Sequence, residues 1–157
     1  MHLLDLLTPA RIHAQAHVTS KKRLLEQLAA LLGEGGGSEL ERSLYESLCG
    51  RERLGSTGLG EGVAIPHGRS AAISNAVGAF VRLGEGIDFG APDGQPVDLV
   101  FALAVPEHFT HQHLILLSQL AEMFGDAGFR QQLRDAADSH ALHQLLVEWQ
   151  STHPGES

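Results

Sequence analysis

One histidine stands out because of the residues around it. His67 lies near the end of the glycine-rich segment "GSTGLGEGVAIPHGRS", which runs from Gly55 to Ser70. Pro66 fixes the backbone on one side of the imidazole, and Gly68 permits a close approach on the other side. Hydroxyl groups and successive backbone N–H groups of the segment could hold an anion. The segment therefore predicts a rigidly held imidazole beside an anion site, which suits a phosphate next to a nucleophilic nitrogen.

Other glycine-rich motifs fit this segment less well. A phosphate-binding loop of the G-x-x-x-x-G-K-[ST] type needs a lysine and a following helix, and the segment has neither. A dinucleotide-binding fingerprint would begin a helix, whereas "GLGEG" leads into the strand-like "VAIP". The G-x-S-x-G sequence of a serine nucleophile is absent. A tight surface turn that carries an ordinary histidine remains the simplest alternative.

A longer stretch around this histidine resembles a known family. The sequence "GRERLGSTGLGEGVAIPHGR" is similar to the IIA phosphocarrier domains of the bacterial phosphoenolpyruvate-dependent phosphotransferase system. Within that family it most resembles the nitrogen-regulatory branch, which is related to the mannitol/fructose type. The resemblance extends from about Leu3 to about Trp149. It implies a type-2 EIIA domain that carries a phosphoryl group on a histidine and acts by regulation rather than by metabolic turnover.

The resemblance also implies the residues of the site. His67 becomes the phosphorylated nucleophile, with the phosphate on Nε2, and Arg51 becomes the active-site arginine. His113, in "VPEHFTHQHLILLSQLAE", becomes the second active-site histidine. The phosphate-binding loop is expected to comprise Gly55, Ser56, Thr57, Gly58, Gly60 and Gly62.

The physical roles of these residues are plausible in themselves. A neutral imidazole is a good nucleophile near pH 7, because its ordinary pKa is about 6.5. One ring nitrogen would attack the phosphoryl group, and the other should donate to a carbonyl and fix the tautomer. An arginine offers a planar fork of donors to phosphate oxygens.

A histidine cluster raises the alternative of a metal site. His108, His111 and His113 fall within six positions, but the cysteines that often complete a zinc site are missing. We therefore predict no physiological metal and no cofactor. Cys49, the single cysteine, is expected to be a half-buried and inert thiol.

The order of elements predicts the fold class. A strand in "RIHAQAH" is followed by a helix from a Ser20 cap through Leu32 and by a second helix, for which Ser38 and Glu41 form a capping box. Strands are predicted in "AVGAFVRL" and "VDLVFALAVP", and three helices follow. Such mixing favours an α/β fold, a three-layer α/β/α sandwich with a mixed central sheet and helices on both faces. We expect one domain over residues 1–157, with a core at about 3–149 and a tail at 151–157.

Bulk properties limit the partners and the location. The chain has 157 residues and a formal net charge of −8, which disfavours nucleic acid as a partner. Its start does not have the pattern of a secretory signal, and the longest apolar run, Leu99–Val105, is too short to span a membrane. We therefore predict a soluble, cytoplasmic protein without direct membrane insertion.

Several functions remain open at this point. The first is a phosphohistidine carrier that receives its phosphoryl group from an HPr-like histidine phosphocarrier and controls target proteins, such as potassium-transport or sensor-kinase components. The second is a IIA component that passes the phosphate to a fructose- or mannitol-type sugar permease. The third is a non-catalytic module that binds an anion, and the fourth is a metal-dependent hydrolase.

Overall fold

The protein alternates strands and helices in the order that the sequence predicts. A computed structural model describes residues 3–153. Short 3₁₀ turns occupy Leu3–Leu6 and Pro9–Arg11. The strands are β1 (Ile12–Ala16), β2 (Gly58–Gly60), β3 (Val63–Ala64), β4 (His67–Ser70), β5 (Val77–Ile87) and β6 (Val97–Pro106). The helices are α1 (Lys21–Leu32), α2 (Ser38–Glu52), α3 (His111–Phe124), α4 (Ala127–Asp135) and α5 (Ser139–Thr152).

The six strands form one mixed sheet in the order β1-β5-β6-β3-β2, with β4 also paired to β6. The pairs β1/β5, β3/β6 and β4/β6 are parallel, whereas β5/β6 and β2/β3 are antiparallel. Strands β3 and β4 lie one after the other along the same edge of β6. The two residues between them, Ile65 and Pro66, interrupt that edge immediately before His67. His67 thus follows a break in the sheet rather than a free loop.

Two hydrophobic cores cover the two faces of the sheet. On β6, Leu99, Phe101, Leu103 and Val105 face the core that is shared with α3, α4 and α5. The alternate residues Val100, Ala102 and Ala104 face the core that is shared with α1 and α2. Side chains of a strand point alternately to its two faces, so a central strand that is apolar throughout is buried between two layers. The predicted three-layer α/β/α sandwich with a mixed sheet is confirmed.

The ends of two elements differ from the sequence predictions. The capping box of α2 is wrong, because Ser38 is already the first helical residue and Gly37 stands at the N-cap with a φ of 90°. The amide of Glu41 donates to the Gly37 carbonyl, so the glycine backbone starts the helix without a capping side chain. Strand β5 continues past the predicted end at Leu83 and reaches Ile87 through an irregular stretch. By contrast, the Ser20 cap of α1 is confirmed, since its hydroxyl accepts the amide of Arg23.

The last helix extends into the segment that was predicted as a tail. Helix α5 includes residues 151 and 152, the first two residues of the segment predicted as a tail, and residues 154–157 lie outside the described part of the chain.

None of the helices in residues 3–153 has the length and apolar character that crossing a bilayer requires.

Candidate active site around His67

The imidazole of His67 is held by the backbone in front of it. His67 begins β4 and is 9% exposed. Its Nδ1 lies 2.7 Å from the carbonyl oxygen of Ile65. Because a carbonyl can only accept, Nδ1 carries the proton and Nε2 keeps the lone pair. This is the tautomer that nucleophilic attack through Nε2 requires.

A cavity of about 750 Å³ opens beside this imidazole. Its walls come from three elements: the second half of α2, the start of β4, and the segment that leads into α3. The residues that line it are Ser47, Gly50, Arg51, Leu54, His67, Gly68, Arg69, Glu107, Thr110, His113, Leu114 and Leu117. The three residues for which the sequence predicted direct chemistry, His67, His113 and Arg51, therefore share one cavity.

The second histidine faces the first. The ring centroids of His113 and His67 are 5.3 Å apart, with an angle of 77° between the ring planes. Nε2 of His113 is buried and has no hydrogen-bond partner among the described residues. A buried polar atom without a partner is uncommon in a folded protein and marks a place where a further group can bind.

Both imidazoles are neutral near pH 7. Burial lowers the pKa of His67, an effect that its hydrogen bond to Ile65 opposes and the nearby Arg51 reinforces. Burial, the charge that His67 carries when it is protonated, and the charge of Arg69 lower the pKa of His113 to about 4. Nε2 of His67 therefore remains unprotonated and nucleophilic at neutral pH.

Two arginines contribute positive charge to the cavity. Arg51, near the end of α2, donates from Nη1 to the carbonyl of Gly55 over 2.8 Å. Arg69 was not among the residues predicted from the sequence. It stands two positions after His67 on β4, and residues at that spacing point to the same face of a strand. This alternation is the signal that could have identified it.

The structure does not bring the glycine loop to the cavity. None of the residues from Ser56 to Gly62 lines it. The carboxylate of Glu52 accepts both the amide of Thr57, at 2.9 Å, and its hydroxyl, at 2.7 Å. The hydroxyl of Ser56 donates to the carbonyl of Phe89 and accepts the amide of Gly58. These groups serve the fold, so the predicted phosphate-binding role of Ser56, Thr57 and Gly58 stays a prediction that the geometry does not support.

The remaining loop glycines have structural reasons as well. Gly60 and Gly62 have φ values of 95° and 79°, which side chains rarely adopt. Between them, Glu61 donates its amide to Asp93 and accepts a hydrogen bond from Arg134 on its carbonyl. Gly55, the first glycine, donates its amide to the carbonyl of Glu52 and accepts a hydrogen bond from Arg51 on its own carbonyl. The loop is thus fixed to α4 and to the turn before β6, away from His67.

Gly68 serves helix packing. A Cβ at this position would collide with the side chain of Ser47 on α2. The hydroxyl of Ser47 donates to the carbonyl of Arg69 over 2.7 Å, which holds α2 against β4. The group that approaches Gly68 closely is therefore this helix, which carries Arg51 to the same cavity.

The other clustered histidines separate in space. His108 packs edge-on against Phe109, with ring centroids 5.0 Å apart, and His111 is exposed. No group of three or more histidine, cysteine or acidic residues within residues 3–153 is arranged to hold a metal ion.

Comparison with known proteins identifies the family. The sequence model described as "Phosphoenolpyruvate-dependent sugar phosphotransferase system, EIIA 2" matches residues 5–149. The chain belongs to this family. The resemblance predicted from "GSTGLGEGVAIPHGR" is thereby confirmed.

Relatives of this EIIA protein include nitrogen regulatory proteins. That of Pseudomonas aeruginosa is 42% identical over 151 residues, which cover 96% of this chain and 98% of the relative. The crystal structure of the nitrogen regulatory protein IIA-Ntr from Neisseria meningitidis superposes with a TM-score of 0.86 at 43% identity, over 92% of this chain and 98% of that one. The IIA protein for mannitol from Escherichia coli, in its complex with phosphorylated IIB, has a TM-score of 0.76 at 21% identity, over 90% and 97% of the two chains, and shares the fold. The EIIA protein described here is thus similar to the nitrogen-regulatory branch.

Proposed function

We propose that this EIIA protein is a phosphohistidine carrier that accepts a phosphoryl group on Nε2 of His67 and regulates target proteins according to its phosphorylation state. The observation that carries the proposal is the hydrogen bond from His67 Nδ1 to the Ile65 carbonyl, which leaves Nε2 with its lone pair beside a cavity. The donor is an HPr-like histidine phosphocarrier. The protein acts as one domain in the cytoplasm, where such a donor would meet it.

The transfer step conserves bonds and charge. The lone pair of His67 Nε2 forms a bond to phosphorus while the bond between phosphorus and the donor's histidine nitrogen breaks. The donor ring enters with a proton on its other nitrogen, the electron pair of the broken bond stays on the donor nitrogen, and the ring leaves as a neutral imidazole. The ring of His67 takes over the positive charge as a phosphorylated imidazolium. Nδ1 of His67 keeps its proton throughout, and that proton stays hydrogen-bonded to the Ile65 oxygen. No proton has to move, so positioning and charge stabilisation are the main tasks of the protein.

The surroundings of Nε2 suit the three phosphoryl oxygens. Arg51 and Arg69 both line the cavity and supply cationic donors. Helix α3 begins at the cavity wall after Thr110, whose side chain makes no cap hydrogen bond. The amides of its first turn therefore add partial positive charge. Nε2 of His113, which has no partner among the described residues, can complete the set as a donor to a phosphoryl oxygen.

The regulatory role rests on similarity. The nitrogen regulatory proteins of Pseudomonas aeruginosa and Neisseria meningitidis are 42% and 43% identical to this chain, whereas the mannitol IIA protein is 21% identical. The complex of that mannitol protein with phosphorylated IIB supports partners of the phosphocarrier type and keeps transfer to a sugar-specific IIB as the second candidate function. For the regulatory function, target proteins such as potassium-transport or sensor-kinase components are the expected outputs.

Reconstitution tests the proposal directly. The protein is incubated with phosphoenolpyruvate, the first enzyme of the system and its phosphocarrier. We expect one acid-labile, base-stable phosphate that is lost in His67→Ala and kept in His111→Ala, a control for an exposed histidine of the same region. Absence of phosphate from the wild-type protein would leave a non-catalytic anion-binding module as the better account. Rapid transfer from the phosphorylated protein to a sugar-specific IIB would instead favour the second candidate.

A further inference from the structure

Two leucines on the rim of the cavity are unusually exposed. Leu54, just after α2, is 84% exposed, and Leu114, in the first turn of α3, is 67% exposed. Single exposed leucines are common on protein surfaces. These two, however, stand on different walls of the same cavity, which the partly buried Leu117 also lines. They form a small apolar rim around a functional site, which is where a protein partner makes its contacts.

The charge inside this rim is opposite to that of the whole chain. The chain carries a formal net charge of −8. Arg51 and Arg69 nevertheless line the cavity, and Glu107 is the single carboxylate among the lining residues. A group that binds between the two leucines therefore meets cationic donors and should itself be an anion.

We propose that the unphosphorylated protein binds its regulatory target through a carboxylate that the target inserts between Arg51 and Arg69. Apolar side chains beside this aspartate or glutamate of the target pack on Leu54 and Leu114. This inference rests on the proposed function and names the chemistry of the partner at the same site.

The phosphoryl group then acts as a competitor. Bound to Nε2 of His67, it brings up to about two negative charges to the place that the carboxylate would occupy. It engages the same arginines and repels the incoming carboxylate, so the phosphorylated protein releases the target. The phosphocarrier must also reach Nε2 across the two leucines, so the donor and the target exclude each other.

A peptide selection tests the chemistry of the partner. Short random peptides displayed on phage are selected on the unphosphorylated protein, and the best of them is labelled for fluorescence anisotropy. We expect it to carry an acidic residue next to leucine or another large apolar residue. Exchange of that residue for its amide should weaken binding at least about tenfold, because the arginines lose their charged partner. Inorganic phosphate should weaken binding more than chloride does at the same ionic strength.

Variants of the protein locate the contact. Leu54→Ser and Leu114→Ser should each weaken peptide binding at least about tenfold. Leu59→Ser is the matched control, because Leu59 is 44% exposed and lies outside the cavity. Arg69→Gln should weaken binding and remove most of the effect of phosphate. Arg53→Gln is the control for charge, since Arg53 is exposed and does not line the cavity.

The outcomes separate this inference from the proposed function. If selection yields no acidic peptide, if the amide version binds equally well, or if phosphate has no more effect than chloride, the carboxylate inference is wrong. Failure of the reconstituted system to phosphorylate His67, with all peptide results as expected, would instead refute the carrier function and leave an anion-gated docking site. A phosphorylated protein that binds the peptide as tightly as the unphosphorylated one would overturn the switch.

Discussion

The ring of His113 meets that of His67 edge-on across 5.3 Å, and its buried Nε2 has no partner within the described residues. Because the pKa of His113 is lowered to about 4, its imidazole is neutral near pH 7. The pair thus places one imidazole with an unprotonated Nε2 beside a second imidazole whose buried nitrogen can bind a further group.

Replacement of His113 should slow the transfer without unfolding the protein. In His113→Ala the phosphoryl oxygens lose one donor, and a hydrogen bond to a charged group contributes about 1.5–3 kcal/mol. We expect the rate of phosphorylation by the phosphocarrier to fall about 10- to 100-fold. The circular dichroism spectrum should not change. A rate equal to that of the wild-type protein would remove His113 from the site.

Acid should destabilise the protein through the same histidine. In the unfolded chain the pKa of a histidine is about 6.5, whereas the pKa of folded His113 is about 4. Between these values the unfolded state binds more protons, so the free energy of unfolding falls as the pH drops from about 6.5 towards 4. The lowered pKa of His67 acts in the same direction.

Urea denaturation at about pH 7 and about pH 5 measures this effect. His113→Gln should lose less stability between the two values than the wild-type protein, because its share of the linkage is absent. All other groups are common to the two proteins, so their contribution cancels in the comparison. An identical loss would mean that His113 has an ordinary pKa in the folded state.

Glu52 should be important for stability although it is next to Arg51, which lines the cavity. Its carboxylate accepts two hydrogen bonds from Thr57 and pairs with Lys21 at 2.7 Å. Glu52→Ala leaves the buried amide and hydroxyl of Thr57 without an acceptor, and we expect the free energy of unfolding to fall by about 2–3 kcal/mol. Glu46→Ala, at an exposed position of the same helix, is the control and should change it by less than about 0.5 kcal/mol. Similar values for both variants would contradict this role.

Alanine substitutions at two glycines near the cavity should change the free energy of unfolding in opposite directions. Gly68→Ala forces the new Cβ against Ser47 and should cost about 1–3 kcal/mol through displacement of α2. Gly50 lies inside α2. Among the described residues, and apart from the backbone of its own helix and its chain neighbours, one atom lies within 4 Å of an added Cβ: the end of the Arg53 side chain, at 3.9 Å. Gly50→Ala should therefore stabilise the protein by about 0.5–1 kcal/mol. Thermal denaturation distinguishes the two, and a stabilised Gly68→Ala protein would refute the packing argument.

Local patterns predicted most of the fold. The strand Val97–Pro106 was predicted with correct bounds, because a mostly apolar run that ends at a proline indicates a buried strand and marks where it stops. The cap at Ser20 was also predictable from the residue type and its position. At Gly37 the backbone conformation itself starts the helix. The serine one position later has the residue type of an N-cap but is already helical.

Residue type was enough to predict the contact that orients His67. A carbonyl acceptor for its second ring nitrogen was expected from the chemistry of imidazole, and the oxygen of Ile65 takes that place. The orientation of the loop depends on Glu52, five residues before Thr57, and on Asp93 and Arg134, which lie far from the loop in the chain. The sequence alone cannot bring these together, so hydroxyls that look available for an anion turn out to be engaged within the fold.

The acceptor that orients His67 belongs to the main chain at Ile65. Every residue type has a carbonyl oxygen, so no side-chain exchange at position 65 can delete this contact, and only a change in the path of the backbone can. Substitutions during evolution can thus alter the packing around His67 while the hydrogen bond that keeps the proton on its Nδ1 is retained.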